Sequence, residues 1–351
     1  VTTVRDGYDV VVVGGGAAGL GGALTLARAR RSVLVVDAGE PRNAPAGHVH
    51  NYLGREGTPP GELLAVGRAE VAGYGGEVVS GRVVSAEPVG AESASNPRGF
   101  RVRLADGRSV AARRLLVATG LVDELPEVPG IVEQWGRGVL HCPYCHGWEV
   151  RDRRIGVLAT SPFSPHQAQL FRQWSSQVTL FLHTEPEPDE GTSERLAARG
   201  IAVVVGEVAA VESAEEGVTG VRLTSGAVVD CDAVVVAPRF TARADVLASL
   251  GVAAVDTEVG GQVVGSAVKV DASGATSVPG VWAAGNVTDP RGQVLGSAAA
   301  GLAAAAAINA DLLEEDTRLA VAEYRNGRAA FSAADERAMS ERVMGERRHG
   351  V

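Results

Sequence analysis

Residues 141 to 148 read His-Cys-Pro-Tyr-Cys-His-Gly-Trp. Two thiols with two residues between them can open and close a disulfide, and a pair of thiolates can also begin a metal site. A structural zinc takes four ligands, and one C-x-x-C supplies two of them. His141 and His146 directly adjoin the cysteines, so folding both onto one metal would strain the chain, and Cys231 stands alone. A redox pair at Cys142 and Cys145 is therefore expected, and no metal. Pro143 stiffens the turn, and a protonated histidine beside a thiol lowers its pKa below about 8.5. His146 is placed to move protons, because a free imidazole titrates near pH ~6.5. It reads alternatively as a helix cap or a packing residue. His141, His48 and His50 read equally well as packing residues, and Cys231, just before an apolar strand, reads as a core thiol.

A second chemical signal lies near the start. Gly14, Gly16 and Gly19 fall at G-x-G-x-x-G spacing. The apolar run from Tyr8 to Val13 before them has the composition of a buried parallel strand, and Leu20 to Arg30 carries small and apolar residues at helical spacing. Ser32 to Val36 is a second strand, ending at Asp37. Strand, glycine turn, helix, strand and acid form the dinucleotide-binding unit. Its first glycine permits the turn, the second lets a diphosphate reach the backbone, and the third lets helix and strand approach. The helix N-terminus presents free N–H groups to the anion, and Asp37 is placed to accept from ribose hydroxyls. The loop alone does not separate NAD from FAD.

The remaining elements must bring these two signals together. A loop rich in Pro, Gly, Asn and His spans residues 38 to 62, followed by a helix over about 61 to 74 and a β-rich stretch with a turn at Asp106-Gly107. A second βαβ pattern starts at Arg154, with strands over Ile155 to Ala159 and Gln177 to His183 and a helix from His166 to Ser175 between them. No glycine loop follows its first strand, which runs into Thr160-Ser161-Pro162-Phe163-Ser164-Pro165. Two prolines each remove a backbone donor, and Phe163 puts bulk where a diphosphate should approach. The second strand ends in the acidic run Glu185-Pro-Glu-Pro-Asp-Glu190, which opposes a nucleotide phosphate. No ordinary NADPH site is expected. Later come a strand running into the turn at 281 to 286, an alanine-rich helix over Ser297 to Asn309, and an amphipathic tail from about 315.

The chain has 351 residues, more than one ordinary core organises. A net charge of −9 argues against a nucleic-acid partner. No apolar run reaches ~18 residues, so no membrane span is expected. The first residues lack a basic region followed by an apolar stretch and a cleavage site, which makes the cytosol the default expectation. Three cysteines exclude a structural disulfide framework.

Val281-Trp-Ala-Ala-Gly-Asn286 resembles the second FAD-binding turn of flavoproteins with two dinucleotide domains, and Ala118-Thr119-Gly120 resembles their linker motif. With Cys142-x-x-Cys145, the chain resembles the low-molecular-weight thioredoxin reductase family over nearly its whole length. The resemblance implies an α/β fold of two Rossmann-like domains. A discontinuous FAD domain (1–122 and 242–351) would enclose an inserted, degenerate NADPH-type domain (123–241). It implies FAD held by Gly14, Gly16, Gly19, Asp37, Asn51, Gly285, Asn286 and Gln293, and a homodimer. It also implies Cys145 facing the flavin and Cys142 meeting the substrate. Three residues depart from the family pattern. Asn286 stands for the usual Asp, Asp37 for Glu, and His146 for the Asp that shuttles a proton. The Cys-x-x-Cys-His pattern resembles the branch of FAD-dependent dithiol oxidases that close disulfides in natural products of the gliotoxin and holomycin type. The expected reaction is oxidation of a small-molecule or peptide dithiol, with oxygen reduced to peroxide. The alternatives are a disulfide reductase fed by another donor such as ferredoxin, and a flavin-bearing redox sensor.

Overall fold

The computed structural model describes residues 5–90, 99–259, 261–329 and 333–344. Its centre is the strand Gly7–Val13, whose last four residues are all buried. A strand buried on both faces carries no polar alternation and pairs in parallel on both sides. Here the neighbours are Val33–Asp37 and Ser109–Val117, both parallel. Glu77–Ser80 extends the sheet beyond Val33–Asp37. The second half of Ser109–Val117 receives Val281–Ala283 in parallel, so the last third of the chain returns to complete the first sheet. The first half takes an antiparallel strand, Gly99–Leu104, paired in turn with Val83–Val89. The expected turn at Asp106-Gly107 lies between these strands, with Gly107 at φ +89°.

Two helices cover one face of this sheet at backbone contact. A Cβ on Gly301 would stand 1.9 Å from the Ala18 carbonyl oxygen, and one on Gly21 would stand 2.8 Å from that of Ala298. The alanine-rich stretch forms a closely packed helix, as its small residues require. It is longer than the sequence suggests: the helix runs Val294–Ala329 without a break into the expected tail. The acidic run in its middle does not end it, because Asp311, Glu315 and Asp316 have cationic partners. Glu315 accepts from Arg113 at 2.6 Å and from Arg114 at 2.7 Å. Asp316 accepts from Arg31 at 2.6 Å, and Asp311 pairs with Arg114. The expectation of no membrane span rested on uninterrupted apolar runs alone. Val294–Asn326 is long and apolar enough to cross a membrane by length and composition. Counting uninterrupted apolar runs overlooked a helix rich in Ala and Gly. Its buried residues Ala304, Ala305, Ile308 and Leu312 lie in the core shared with the first helix, Ala17–Arg28.

The second unit is a five-stranded sheet in the order Ala202–Val204, Val178–Phe181, Ile155–Leu158, Ala233–Val235, Val139–Leu140, parallel throughout. A three-stranded antiparallel sheet over residues 208–230 packs beside it through Val128, Ile131, Phe181 and Val221. The strands that leave and re-enter the first unit, Leu121–Glu124 and Arg239–Ala242, pair antiparallel with each other. The second βαβ helix is Ser164–Phe171, starting two residues before the expected His166, with Pro165 in its first turn.

Burial raises the Glu315 pKa, but hydrogen bonds from Arg114 and Arg113 outweigh it and hold the carboxyl below its usual 4.5. Its stabilising contribution is present above that value and is lost as pH falls through the lower folded value. Glu315→Gln should cost about 3–5 kcal/mol near neutral pH by stranding two arginines. In thermal melts the gap between wild type and variant should narrow as the pH is taken below 4.5.

Candidate active site

Strand Val139–Leu140 delivers the chain to a short helix, Pro143–His146. Pro143 sits in its first turn, where the missing N–H costs nothing. Cys142 is the extended residue before it, and its sulfur accepts the Cys145 N–H at 3.2 Å. Cys142 and Cys145 are joined as a disulfide with Cα atoms 5.2 Å apart. An N–H aimed at the Cys142 sulfur suits a thiolate once the pair is reduced. Gly147 is required just after the helix, since a Cβ there would stand 2.7 Å from the Trp174 ring.

The pair opens onto a cavity of 1670 Å³ that extends to the first glycine turn. Gly14, Gly16, Asp37, Gly285, Asn286, Gln293, Cys142, Cys145 and His146 all line it, whereas Gly19 and Asn51 do not. Gly14 has φ +105°, and its Cβ would strike the Ala118 carbonyl oxygen at 2.4 Å. A Cβ on Gly19 would stand 1.8 Å from the Gly14 oxygen, the close helix–strand approach assigned to this position. A Cβ on Gly16 would meet nothing within 4 Å, which leaves the backbone open to a ligand. Asp37 is held by the Gly15 N–H at 3.1 Å, and a Cβ on Gly15 would collide with its carboxyl carbon at 2.6 Å. Gly15 was not singled out in the sequence. A third consecutive glycine facing a short Asp was the available signal.

At the other end of the cavity Gly285 takes φ +83°, with its Cβ position 2.8 Å from that of Ala18. The Asn286 amide donates to the carbonyls of Asp289 (2.9 Å) and Gly292 (2.8 Å) and ties the turn. A carboxylate there could donate neither bond. Its oxygen accepts from Arg42 at 3.3 Å, while Arg42 binds Asp123 with both arms of its guanidinium. No local pattern announces Arg42, because its partners are distant in sequence. Asn51 takes φ +59° and spends its side-chain amide on the Tyr144 carbonyl at 2.6 Å. That contact fastens the cysteine helix to the loop that carries His48 and His50.

His146 is largely buried, and among the described residues neither ring nitrogen has a hydrogen-bond partner. Burial pushes its pKa below 6.5 against the opposing pull of Glu149, which leaves a neutral base. His141 is also pushed down by burial. Its Nδ1 lies 3.1 Å from the Val236 carbonyl and its ring meets Phe240 edge-on. Cys231 is buried, and burial lifts its thiol to about 12, so it is a core residue. No cluster of metal ligands is found among the described residues.

A match to the family described as pyridine nucleotide-disulphide oxidoreductase covers residues 8–307. The chain belongs to that family. It is similar to the crystal structure of HlmI at 44% identity and a TM-score of 0.83, covering 93% of this chain and 99% of that one. It is also similar to an oxidoreductase from Agrobacterium tumefaciens at 36% identity and a TM-score of 0.79, covering 87% and 98%. A relative from Claviceps purpurea, thioredoxin reductase tcpT, is 32% identical over 178 residues, which span 49% of this chain and 54% of that protein. The chain is thus a thioredoxin reductase-like oxidoreductase of the two-Rossmann type, and FAD is the cofactor of its family. The open backbone at Gly16, the acid at Asp37 and the turn at Gly285 fit that cofactor.

The backbone at Gly16 (φ −77°, ψ −173°) is open to any residue. Gly16→Val should therefore leave the melting temperature of the apoprotein within a few degrees of wild type while abolishing the flavin absorbance of the purified protein. Loss of fold together with flavin would show that Gly16 serves the chain and not the ligand.

Proposed function

We propose that the protein is an FAD-dependent dithiol oxidase, which converts a small dithiol to its disulfide and passes the electrons to oxygen to form peroxide. The observation that carries this reading is the turn after strand Ile155–Leu158. The N–H groups of Thr160 and Ser161 both point at Ser164 Oγ, at 3.2 and 3.4 Å, and that of Phe163 at Ser161 Oγ at 3.3 Å. Pro162 and Pro165 offer no N–H. The donors that would cradle a nicotinamide dinucleotide's diphosphate are thus consumed by the chain itself. Phe163 and Gln167 instead line the same cavity as the cysteines. This supports reading the degenerate unit as the wall of a substrate chamber.

Bound FAD supplies a two-electron acceptor for the cysteine pair and a donor to oxygen. The chain's own groups do the rest. A substrate thiolate attacks Cys142, and the second substrate thiol displaces it, leaving a substrate disulfide and two cysteine thiols. Cys145 is, by the family resemblance, the thiol that faces the cofactor. His146 accepts the proton that leaves as the pair closes again. Leu295, Leu302 and Leu313 are exposed on one face of the long helix at helical spacing. They support reading the protein as a homodimer joined there, for which Leu302→Asp with Leu313→Asp should yield a monomer by sedimentation.

Anaerobic dithiothreitol should bleach the flavin band, and admission of air should restore it with release of peroxide. Rapid bleaching by NADPH would sink the oxidase reading, and turnover of a protein disulfide by reduced ferredoxin would point to a reductase. A base depressed below 6.5 stays neutral, and so active, in mildly acidic solution. The acid limb of kcat/KM for the dithiol should lie below that value and should vanish in His146→Gln, with activity down roughly 100-fold or more.

A further inference from the structure

Electrons pass between a cysteine pair and a cofactor only if the two are held close. A misplacement of about 1 Å in such a step can cost roughly 100-fold in rate. The cysteine helix belongs to the inserted unit, whereas both glycine turns belong to the first. The units are joined by the strands Leu121–Glu124 and Arg239–Ala242. Joined only there, the inserted unit would be free to turn about them. The loop after Asp37 removes that freedom.

At its start, Arg42 grips Asp123 of the outgoing strand with both arms, at 2.7 and 2.8 Å, and lies 5.1 Å over the ring of Phe240 on the returning one. A two-armed pair fixes angle as well as distance, and this one is shielded, with Asp123 only 8% exposed. The same guanidinium reaches the cofactor turn through the Asn286 oxygen at 3.3 Å and the Pro290 carbonyl at 3.4 Å. Phe240 in turn meets the ring of His141, the residue before Cys142, edge-on at 5.1 Å. Further along, the loop brackets the cysteine helix. A Cβ on Gly136, just before the strand that leads to it, would stand 2.7 Å from that of Pro45. The Asn51 amide donates to the Tyr144 carbonyl within the helix at 2.6 Å, and His50 Nε2 lies 3.4 Å from Glu149 just after it. The loop is also braced internally. Val49 N–H donates to the Thr58 carbonyl and Gly57 N–H to that of Val49, both at 2.9 Å. His50 and the Asn51 N–H both meet Glu56, at 2.6 and 2.8 Å. A closed loop transmits position where an open one would bend.

We propose that Arg42 and Asn51 are positioning residues for electron transfer, which clasp the inserted unit to the first at its joining strands and at its cysteine helix and so hold the cysteine pair at the cofactor. Both act through other residues. The step they serve is closure of the reduced pair, in which two thiols become a disulfide and two electrons and two protons pass to the cofactor. The oxidase and reductase readings share this step in opposite directions, so the clasp goes beyond the function proposed above and does not depend on it.

The test uses holoenzyme carrying Arg42→Ala, Arg42→Lys, Asn51→Ala or Asp123→Ala. In a Cys142→Ser background no disulfide can form within the motif, and a Cys145 thiolate held against the oxidised flavin shows a long-wavelength charge-transfer absorbance. Its amplitude per bound flavin, at a pH where the thiol is fully ionised, should be largely lost in Arg42→Ala and in Asn51→Ala. With both cysteines present, bleaching by anaerobic dithiothreitol should slow roughly 10- to 100-fold in its limiting rate. The dithiol concentration at half-maximal rate should not rise, because exchange at Cys142 precedes the step. Arg42→Lys keeps the charge without the fork and should fall between wild type and Arg42→Ala. Arg42→Ala combined with Asp123→Ala should be no slower than either alone. If Arg42→Ala does not fold or hold flavin, Arg42→Lys and Asn51→Ala carry the test. Full amplitude and wild-type rates in the variants would overturn the clasp. So would slowing with the amplitude per bound flavin intact, which marks a merely structural role, and so would absence of the band in Cys142→Ser itself. If dithiothreitol does not bleach wild type, the oxidase reading fails separately, and the amplitudes in the Cys142→Ser background still decide the clasp.

Discussion

The backbones of two helices touch, and the rest of the structure is arranged around that contact. At Gly301 there is no room for a methyl group beside the Ala18 carbonyl, and at Gly21 almost none beside Ala298. The contact sets the first glycine turn and the Gly285 turn side by side, although about 270 residues of chain separate them. Small residues make the approach possible but contribute little burial of their own. The arginine cluster at the far end, Arg113 and Arg114 on Glu315, holds the long helix down where its apolar face is thin. Paired charges of this kind do not guarantee net stability. What they do here is fix one register of helix against sheet.

Much of this was legible in the sequence because the informative spacings are local. The strand, turn, helix and acid of residues 8 to 37 lie where the pattern put them, and so do the strand at 281 to 283 and the alanine helix. Gly14, Gly16 and Asp37, and separately the cysteine pair, belong to local motifs, and the fold brings both to one cavity. What escaped notice is made of contacts between distant segments. Arg42 with Asp123, and His50 between Glu56 and Glu149, leave no periodic trace. Asn51 was expected at the cofactor, and its donation to the Tyr144 carbonyl was not foreseen. The long helix was read as two pieces because its carboxylates look like a solvated break until their arginines are known.

The inserted unit joins a nucleotide-type sheet to a turn rich in Ser and Pro. Its parallel sheet keeps the order of a nucleotide fold, and its core of Ile155, Val157, Phe171 and Leu180 is intact. Ser164 Oγ accepts the N–H groups of Thr160 and Ser161 in the turn that precedes its helix. Those hydrogen bonds close the turn on itself.

The single cysteine outside the redox motif has a practical consequence. Cys231 is sealed beneath Gly156, its sulfur 3.0 Å from where a Cβ on that glycine would be. Its thiol is held far from the thiolate form at any ordinary pH. The folded protein therefore presents two reactive sulfurs when reduced and none when oxidised. The unfolded chain adds a third. Counting thiols with a coloured reagent reports redox state and integrity at once, and odd counts belong only to molecules that have lost their inner sheet.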